Sequence, residues 1–125
     1  MFRFEKLDVW QKAIALGDDV YEVTRAFPDF ERFGLANQMR RAAVSISSNI
    51  AEGSSRSSGK EFVRFIEIAY GSVMELVSQV HIAQRQEFVT VARARSLYLS
   101  ADEISRMLSG LKNARQGERQ VKDKR

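Results

Sequence analysis

The chain has no cysteine, a single proline, a single histidine and no apolar run approaching the roughly 18 residues that cross a bilayer. Without cysteine there is no disulfide framework and no thiolate to act as nucleophile or metal ligand, a composition suited to a reducing cytosol. With His81 as the only imidazole, no histidine cluster can hold a metal. Glu5 and Asp8 stand where a signal peptide would carry its apolar stretch, so the expected compartment is the cytoplasm, with no membrane contact. The lone Pro28 and the seven glycines leave few places to interrupt the chain.

What is present is one domain's worth of apolar periodicity and an uneven charge. The 125 residues suffice for a single core. From Lys112 onward six basic residues face two acids, which leaves fourteen of each sign in residues 1–111; the whole formal excess of +4 therefore lies near the C-terminus. Within the neutral remainder, residues 1–31 hold four basic and seven acidic groups, and residues 32–60 hold five and one. Such a body suits pairing with copies of itself or with a second protein, and only the 32–60 band and the C-terminal segment suit an anionic polymer.

The spacing of apolar residues is close to 3.6 throughout and predicts four helices. The first runs from about Asp8 to Ala26 and stops ahead of Pro28, because the residue before proline disfavours helical geometry. The second runs from Asp29 or Phe30 to Glu52, with Gly53 as the residue that ends it. The third opens on Ser58-Gly59-Lys60-Glu61, a capping box, and reaches about Gln86. The fourth starts near Thr90 and ends at Leu111 to Lys112. Helices of roughly 20 to 29 residues, about 30–43 Å long, joined by short connections give an all-α, antiparallel up-down-up-down four-helix bundle. The expected division is a bundle over residues 1–112 and a basic, disordered tail over residues 113–125, either an arm for nucleic acid or a solubilising end.

Two features depart from a plain bundle. The first helix carries two apolar stripes side by side: Trp10, Ile14, Gly17, Tyr21 and Thr24 beside Val9, Ala13, Leu16, Val20, Val23 and Phe27. Together they span roughly 200°, twice what a core requires, so either copies of the chain associate or an N-terminal arm bearing Phe2 and Phe4 folds back over the helix. Gly17 and Gly71 sit inside helices, where each costs about 1 kcal/mol relative to alanine, and close backbone approach is the expected compensation.

The second feature is a polar ladder on the second helix. Leu35, Met39, Ala42, Ala43, Ile46 and Ile50 form its apolar stripe, Asn49 falls inside that stripe, and Gln38, Arg41, Ser45, Ser48 and Glu52 follow its edge at spacings of three and four. Polar groups bordering a core must find partners. One reading has Gln38, Ser45, Ser48, Asn49 and Glu52 fix the register of helices or subunits, together with Gly17, Gly71 and Ser72. The other has Arg40, Arg41, Arg56, Lys60 and Arg64 line a surface for nucleic-acid phosphates.

No catalytic constellation accompanies these residues. Glu52, Glu67 and Glu75 lack the Glu-x-x-His pairing of metal-binding bundles, and the stretch Glu52–Lys60 resembles a phosphate loop in composition alone, following a helix instead of a strand. Neither an enzyme nor a cofactor or metal is expected.

Three segments carry a resemblance: FEKLDVWQKA at Phe4–Ala13, FPDFERFGLANQMRRAAVSISSNIAEG at Phe27–Gly53, and SSGKEFVRFIEIAYGSVMEL at Ser57–Leu76. The chain resembles, over Phe4 to Leu111, the bacterial four-helix-bundle proteins encoded in intervening sequences of 23S ribosomal RNA genes. The resemblance implies an antiparallel four-helix bundle and a ring-like homopentamer, and brings no catalytic residues. It also implies a distant likeness to the accessory proteins of diversity-generating retroelements, basic pentamers that bind nucleic acid and a reverse transcriptase. The family name records where the genes lie, and the biochemical role of its ordinary members is poorly defined. The expected partners are therefore further copies of the chain, and RNA or DNA or a protein. The residues after Lys112 lie outside the pattern.

Overall fold

A computed structural model describes residues 1–123, with side chains as far as Gly117. Four helices, α1 (Asp8–Arg25), α2 (Leu35–Ser54), α3 (Gly59–Arg85) and α4 (Val91–Asp123), alternate in direction, and two single 3-10 turns occupy Arg3–Lys6 and Asp29–Glu31. Each helix packs on its neighbours in sequence and α1 closes against α4, so the four form a square with no strand among the described residues. This is the up-down-up-down bundle that the periodicity dictates.

The core is the predicted one. Leu16, Val20, Met39, Ile46, Ile50, Ile66, Val73, Leu76, Ile104 and Leu108 are fully buried, each stabilising the fold by about 1.5–3 kcal/mol. Phe65, Val77 and Leu111 are half-buried at its margin. Ser58 caps α3 by accepting a hydrogen bond from Glu61 N–H at 3.1 Å, and Thr90 caps α4 by accepting one from Arg93 N–H at 3.2 Å.

The second helix differs from expectation at both ends. It begins at Leu35 and not near Asp29, because the chain first makes the Asp29–Glu31 turn. The Glu31 carboxylate then reaches forward to accept a hydrogen bond from Leu35 N–H at 2.8 Å, which caps α2 four residues downstream. Gly34 permits this, since a Cβ there would stand 2.6 Å from Glu31 Oε2. At the other end Gly53 does not terminate the helix but lies inside it. A Cβ on Gly53 would meet Phe65 Cβ at 2.6 Å and Phe62 at 3.1 Å, so this glycine sets how closely α2 and α3 approach. Gly17 and Gly71, expected in that role, do not fill it within the protomer: a Cβ on either would have nothing within 4 Å.

The third helix ends with Glu87 in the left-handed region at φ 62°, where the N–H groups of Glu87 and Phe88 donate to the carbonyls of Gln84 (3.0 Å) and Ala83 (2.9 Å). The fourth helix does not stop at Lys112. Lys112 Nζ pairs with Glu67 at 3.4 Å and the Arg115 guanidinium lies 5.2 Å above the Phe62 ring, so bundle contacts continue beyond the expected end. Of the basic segment over residues 113–125, the last two residues lie outside the described ones.

The N-terminal arm does fold back. Phe4 packs edge-on against Trp10 at 5.0 Å and Phe2 stacks on Phe4 at 6.1 Å. That covers one end of the Trp10–Tyr21 stripe of α1, but Ile14 and Tyr21 remain 39% exposed.

Candidate assembly and nucleic-acid interfaces

The two edges of α2 meet different helices and do different things. Toward α3, the Ser45 and Ser72 hydroxyls share a 2.8 Å hydrogen bond. Ser72 also lies 3.3 Å from the Ile68 carbonyl, and Asn49 Nδ2 donates to Ser45 Oγ at 3.0 Å and to the Ser45 carbonyl at 2.8 Å. One directed chain satisfies every member: Asn49 donates to Ser45, Ser45 to Ser72, and Ser72 to Ile68. Asn49 thus sits half-buried within the apolar stripe with its Nδ2 donating twice, and Ser45, Asn49 and Ser72 come together on the α2–α3 seam.

The remaining ladder residues are not brought in. The Gln38 and Ser48 side chains are exposed and form no hydrogen bond among the described residues, and Glu52 pairs with Arg56, just past the end of α2, at 2.8 Å. Gln79 lies 5% exposed on α3; its amide donates to Glu75 at 3.2 Å while its Oε1 has no partner. Seven residues from Ser45 toward the start of α2 is Gln38, and seven residues onward from Ser72 is Gln79. The antiparallel register therefore sets these two glutamines at one level.

Toward α1, Arg40 is held inside the protomer. Its Nε donates to Thr24 Oγ1 at 2.8 Å, and its guanidinium lies 4.9 Å above the Tyr21 ring. Thr24 is buried and passes its own proton to the Val20 carbonyl at 2.7 Å. Arg40 thus ties α2 to α1 while staying half-buried at the edge of a surface depression, and Thr24 belongs to that tie instead of to an apolar stripe. Arg56 is likewise engaged, pairing with Glu52 and lying 5.0 Å above the Phe65 ring.

Of the five expected phosphate contacts, Arg41, Lys60 and Arg64 are exposed and form no ion pair among the described residues. They do not make one surface. Arg41 borders a depression of about 450 Å³ together with Arg40, Tyr21, Asn37 and Val44, whereas Lys60 and Arg64 border one of about 620 Å³ with Ser58, Glu61, Glu67 and Gln116. Along α2, Arg41 lies thirteen residues, about 20 Å, before the last helical residue Ser54, and Arg56 stands in the connection beyond it.

The register also relates the two helical glycines that the protomer leaves unexplained. Thr24 contacts Arg40, so seven residues up α1 from Thr24, at Gly17, is the level of Ser47 on α2. The Ser45–Ser72 pair sets that same level at Tyr70 to Gly71 on α3. Gly17 and Gly71 therefore stand at one height on two helices that do not touch each other, with exposed Ile14 and Tyr21 beside the first and exposed Ile68 and Met74 near the second.

Among the described residues no group of three His, Asp or Glu side chains could hold a metal, and no helix is long and apolar enough to cross a membrane. The packing and register define the class of protein, an antiparallel four-helix bundle with hydrogen-bonded seams on both edges of α2. The family model described as 23S rRNA-intervening sequence protein matches residues 5–110, and the chain belongs to that family. A crystal structure of a protein with unknown function from the S23 ribosomal protein family of Bacteroides thetaiotaomicron shares the fold. Its TM-score is 0.78 at 21% sequence identity, covering 83% of this chain and 97% of that one. No curated protein matches the chain in sequence.

Proposed function

We propose that the chain is the subunit of a closed homo-oligomer, a pentamer in line with the family resemblance, that acts without catalysis as a cytoplasmic nucleic-acid-binding accessory protein. The observation that carries the nucleic-acid reading is the course of α4. By running past Lys112 it brings Arg115 and Gln116 to the end of the bundle where α3 begins, and Gln116 borders the same depression as the exposed Lys60 and Arg64. Exposed cations such as these favour a phosphate backbone through counterion release. The assembly reading is supported by Gly17 and Gly71, each costing about 1 kcal/mol in its helix and offset by nothing within the protomer. Two different patches at one height suit a heterologous contact, in which one copy's α1 face meets the next copy's α3 face.

Light scattering gives the solution mass, with a multiple of the 14.3 kDa chain expected. Gel shift of an RNA or DNA duplex at about 50 mM salt tests binding, which weakens steeply at about 200 mM. The variant Lys60→Glu/Arg64→Glu lowers that affinity, and absence of binding by the wild-type chain at low salt removes the nucleic-acid reading. A protein-interaction scaffold is the second reading, favoured by one observation: Arg40 is hydrogen-bonded to Thr24 and Arg56 is paired with Glu52, so two of the five expected cations are already engaged. Nuclease-resistant capture of a single defined protein partner supports the scaffold.

A further inference from the structure

The opposite end of the bundle, where α1 turns into α2 and α3 into α4, carries aromatic rings that no part of the fold covers. Phe27 is buried and packs against Phe88 at 5.5 Å, forming the floor. On that floor Phe30 stands edge-on to Phe88 at 6.0 Å yet is 77% exposed, and Phe33 is 85% exposed with the Arg32 guanidinium 5.4 Å from its ring centre. From Phe88 the chain enters α4 at the exposed Val91. Two turns on, about 10 Å along the axis, Tyr98 packs edge-on with His81 at 6.1 Å, and Arg95 borders the same shallow depression of about 220 Å³. Rings and arginines therefore alternate from the α1–α2 connection to the α3–α4 face.

The charge around these rings is unbalanced. Arg25, Arg32, Arg85 and Arg95 form no ion pair among the described residues. Of the nearby acids Glu22 is paired with Arg93 at 3.4 Å, and Glu31, though hydrogen-bonded in the α2 cap, keeps its charge, so Glu31, Asp29 and Glu87 stand against these four arginines and the balance leans positive. A phenylalanine has no polar atom to present to water, so exposed rings among unpaired arginines suit a ligand that offers flat apolar faces and negative charge together. Unpaired bases on a phosphate backbone have that chemistry, whereas a duplex shows its phosphates and hides its base faces.

We propose that this end of the bundle, centred on Phe30 and Phe33, is a stacking platform for the bases of single-stranded nucleic acid. The platform is separate from the cationic end at Lys60 and Arg64 and goes beyond the backbone contact proposed there. Three fluorescent probes test it on the full chain: a 12-mer of uridine, an abasic 12-mer with the same phosphates, and a 12-base-pair duplex. The expected result is that the uridine oligomer binds about tenfold or more tighter than the abasic one. Phe30→Ala/Phe33→Ala brings that ratio to about one and leaves duplex affinity, thermal midpoint and solution mass unchanged. Both side chains are exposed, so the variant folds. Duplex binding with no preference for uridine over abasic overturns the platform alone and leaves the backbone reading standing. A preserved ratio in the double variant also overturns it. So does a fall in solution mass with the ratio intact, which assigns the rings to a contact between copies. No binding of any probe overturns both readings.

Discussion

Ser45 and Ser72 face each other across the α2–α3 seam at 2.8 Å, and each has a second partner, Asn49 for Ser45 and the Ile68 carbonyl for Ser72. A hydroxyl pair of this kind holds two helices in one register, because a shift by one residue on either side separates the oxygens. Replacing either serine by alanine is expected to cost about 1 kcal/mol, and replacing both to cost less than the sum. Chemical denaturation of the two single variants and the double variant measures the coupling, and strict additivity counts against a shared bond.

Asn49 supplies only donors to this network, through Nδ2 to the Ser45 carbonyl and hydroxyl. Asn49→Asp keeps the shape and removes both donations, placing a carboxylate against two oxygens in a half-buried seam. A loss of about 2 kcal/mol at neutral pH is the expected outcome, read from the denaturation midpoint. Asn49→Ser loses less, having a hydroxyl to donate.

Gly53 and Gly71 respond to alanine with opposite signs. At Gly53 the new methyl meets Phe65 Cβ, an atom fixed to its backbone, so α2 and α3 must separate; overpacking of this kind costs about 1–3 kcal/mol and outweighs the gain in helix propensity. At Gly71 the methyl enters open space in the protomer, so the helix gains up to about 1 kcal/mol. The measurement pairs thermal midpoint with solution mass: Gly53→Ala melts lower, whereas Gly71→Ala, and more strongly Gly71→Leu, lowers the mass of the assembly without unfolding the chain. Unchanged mass in Gly71→Leu argues against a copy seated at that helix face.

Glu87 adopts a left-handed backbone that glycine reaches without strain. Glu87→Gly is expected to stabilise the chain by about 0.5–1 kcal/mol, the relief of strain exceeding the added freedom of the unfolded chain. Denaturation of the single variant suffices to check it, and a loss of stability refutes the expectation.

The helices and the core are legible in the sequence because one signal, the 3.6-residue period of residues such as Leu16, Ile46, Leu76 and Ile104, is repeated in every element. Ser58-x-x-Glu61 and Thr90 mark helix starts because their caps lie within one turn. The start of α2 is hidden because its cap comes from Glu31, upstream of the helix and across a glycine, a pattern no serine or aspartate announces. Gly53 reads as a stop because sequence shows a missing side chain and not the Phe65 that requires it missing. Arg40 and Arg41 are adjacent and chemically identical, yet one is tied to Thr24 and the other is exposed. Only the direction of each side chain around the helix separates them, and an offset of 100° between neighbours decides whether a cation serves the fold or the solvent. The aromatic end is silent in the sequence for the converse reason: Phe30 and Phe33 look like core residues until the turn at Asp29–Glu31 swings them outward.

The equal height of Gly17 and Gly71 bears on how growth stops. For a chain that associates through these two faces, a subunit added to the last one neither rises nor sinks along the helix axes. Successive additions turn in a plane until the final subunit meets the first, and the particle has no open end left to extend. Its size is then limited by angle and not by supply, so mass should stay flat as concentration is raised.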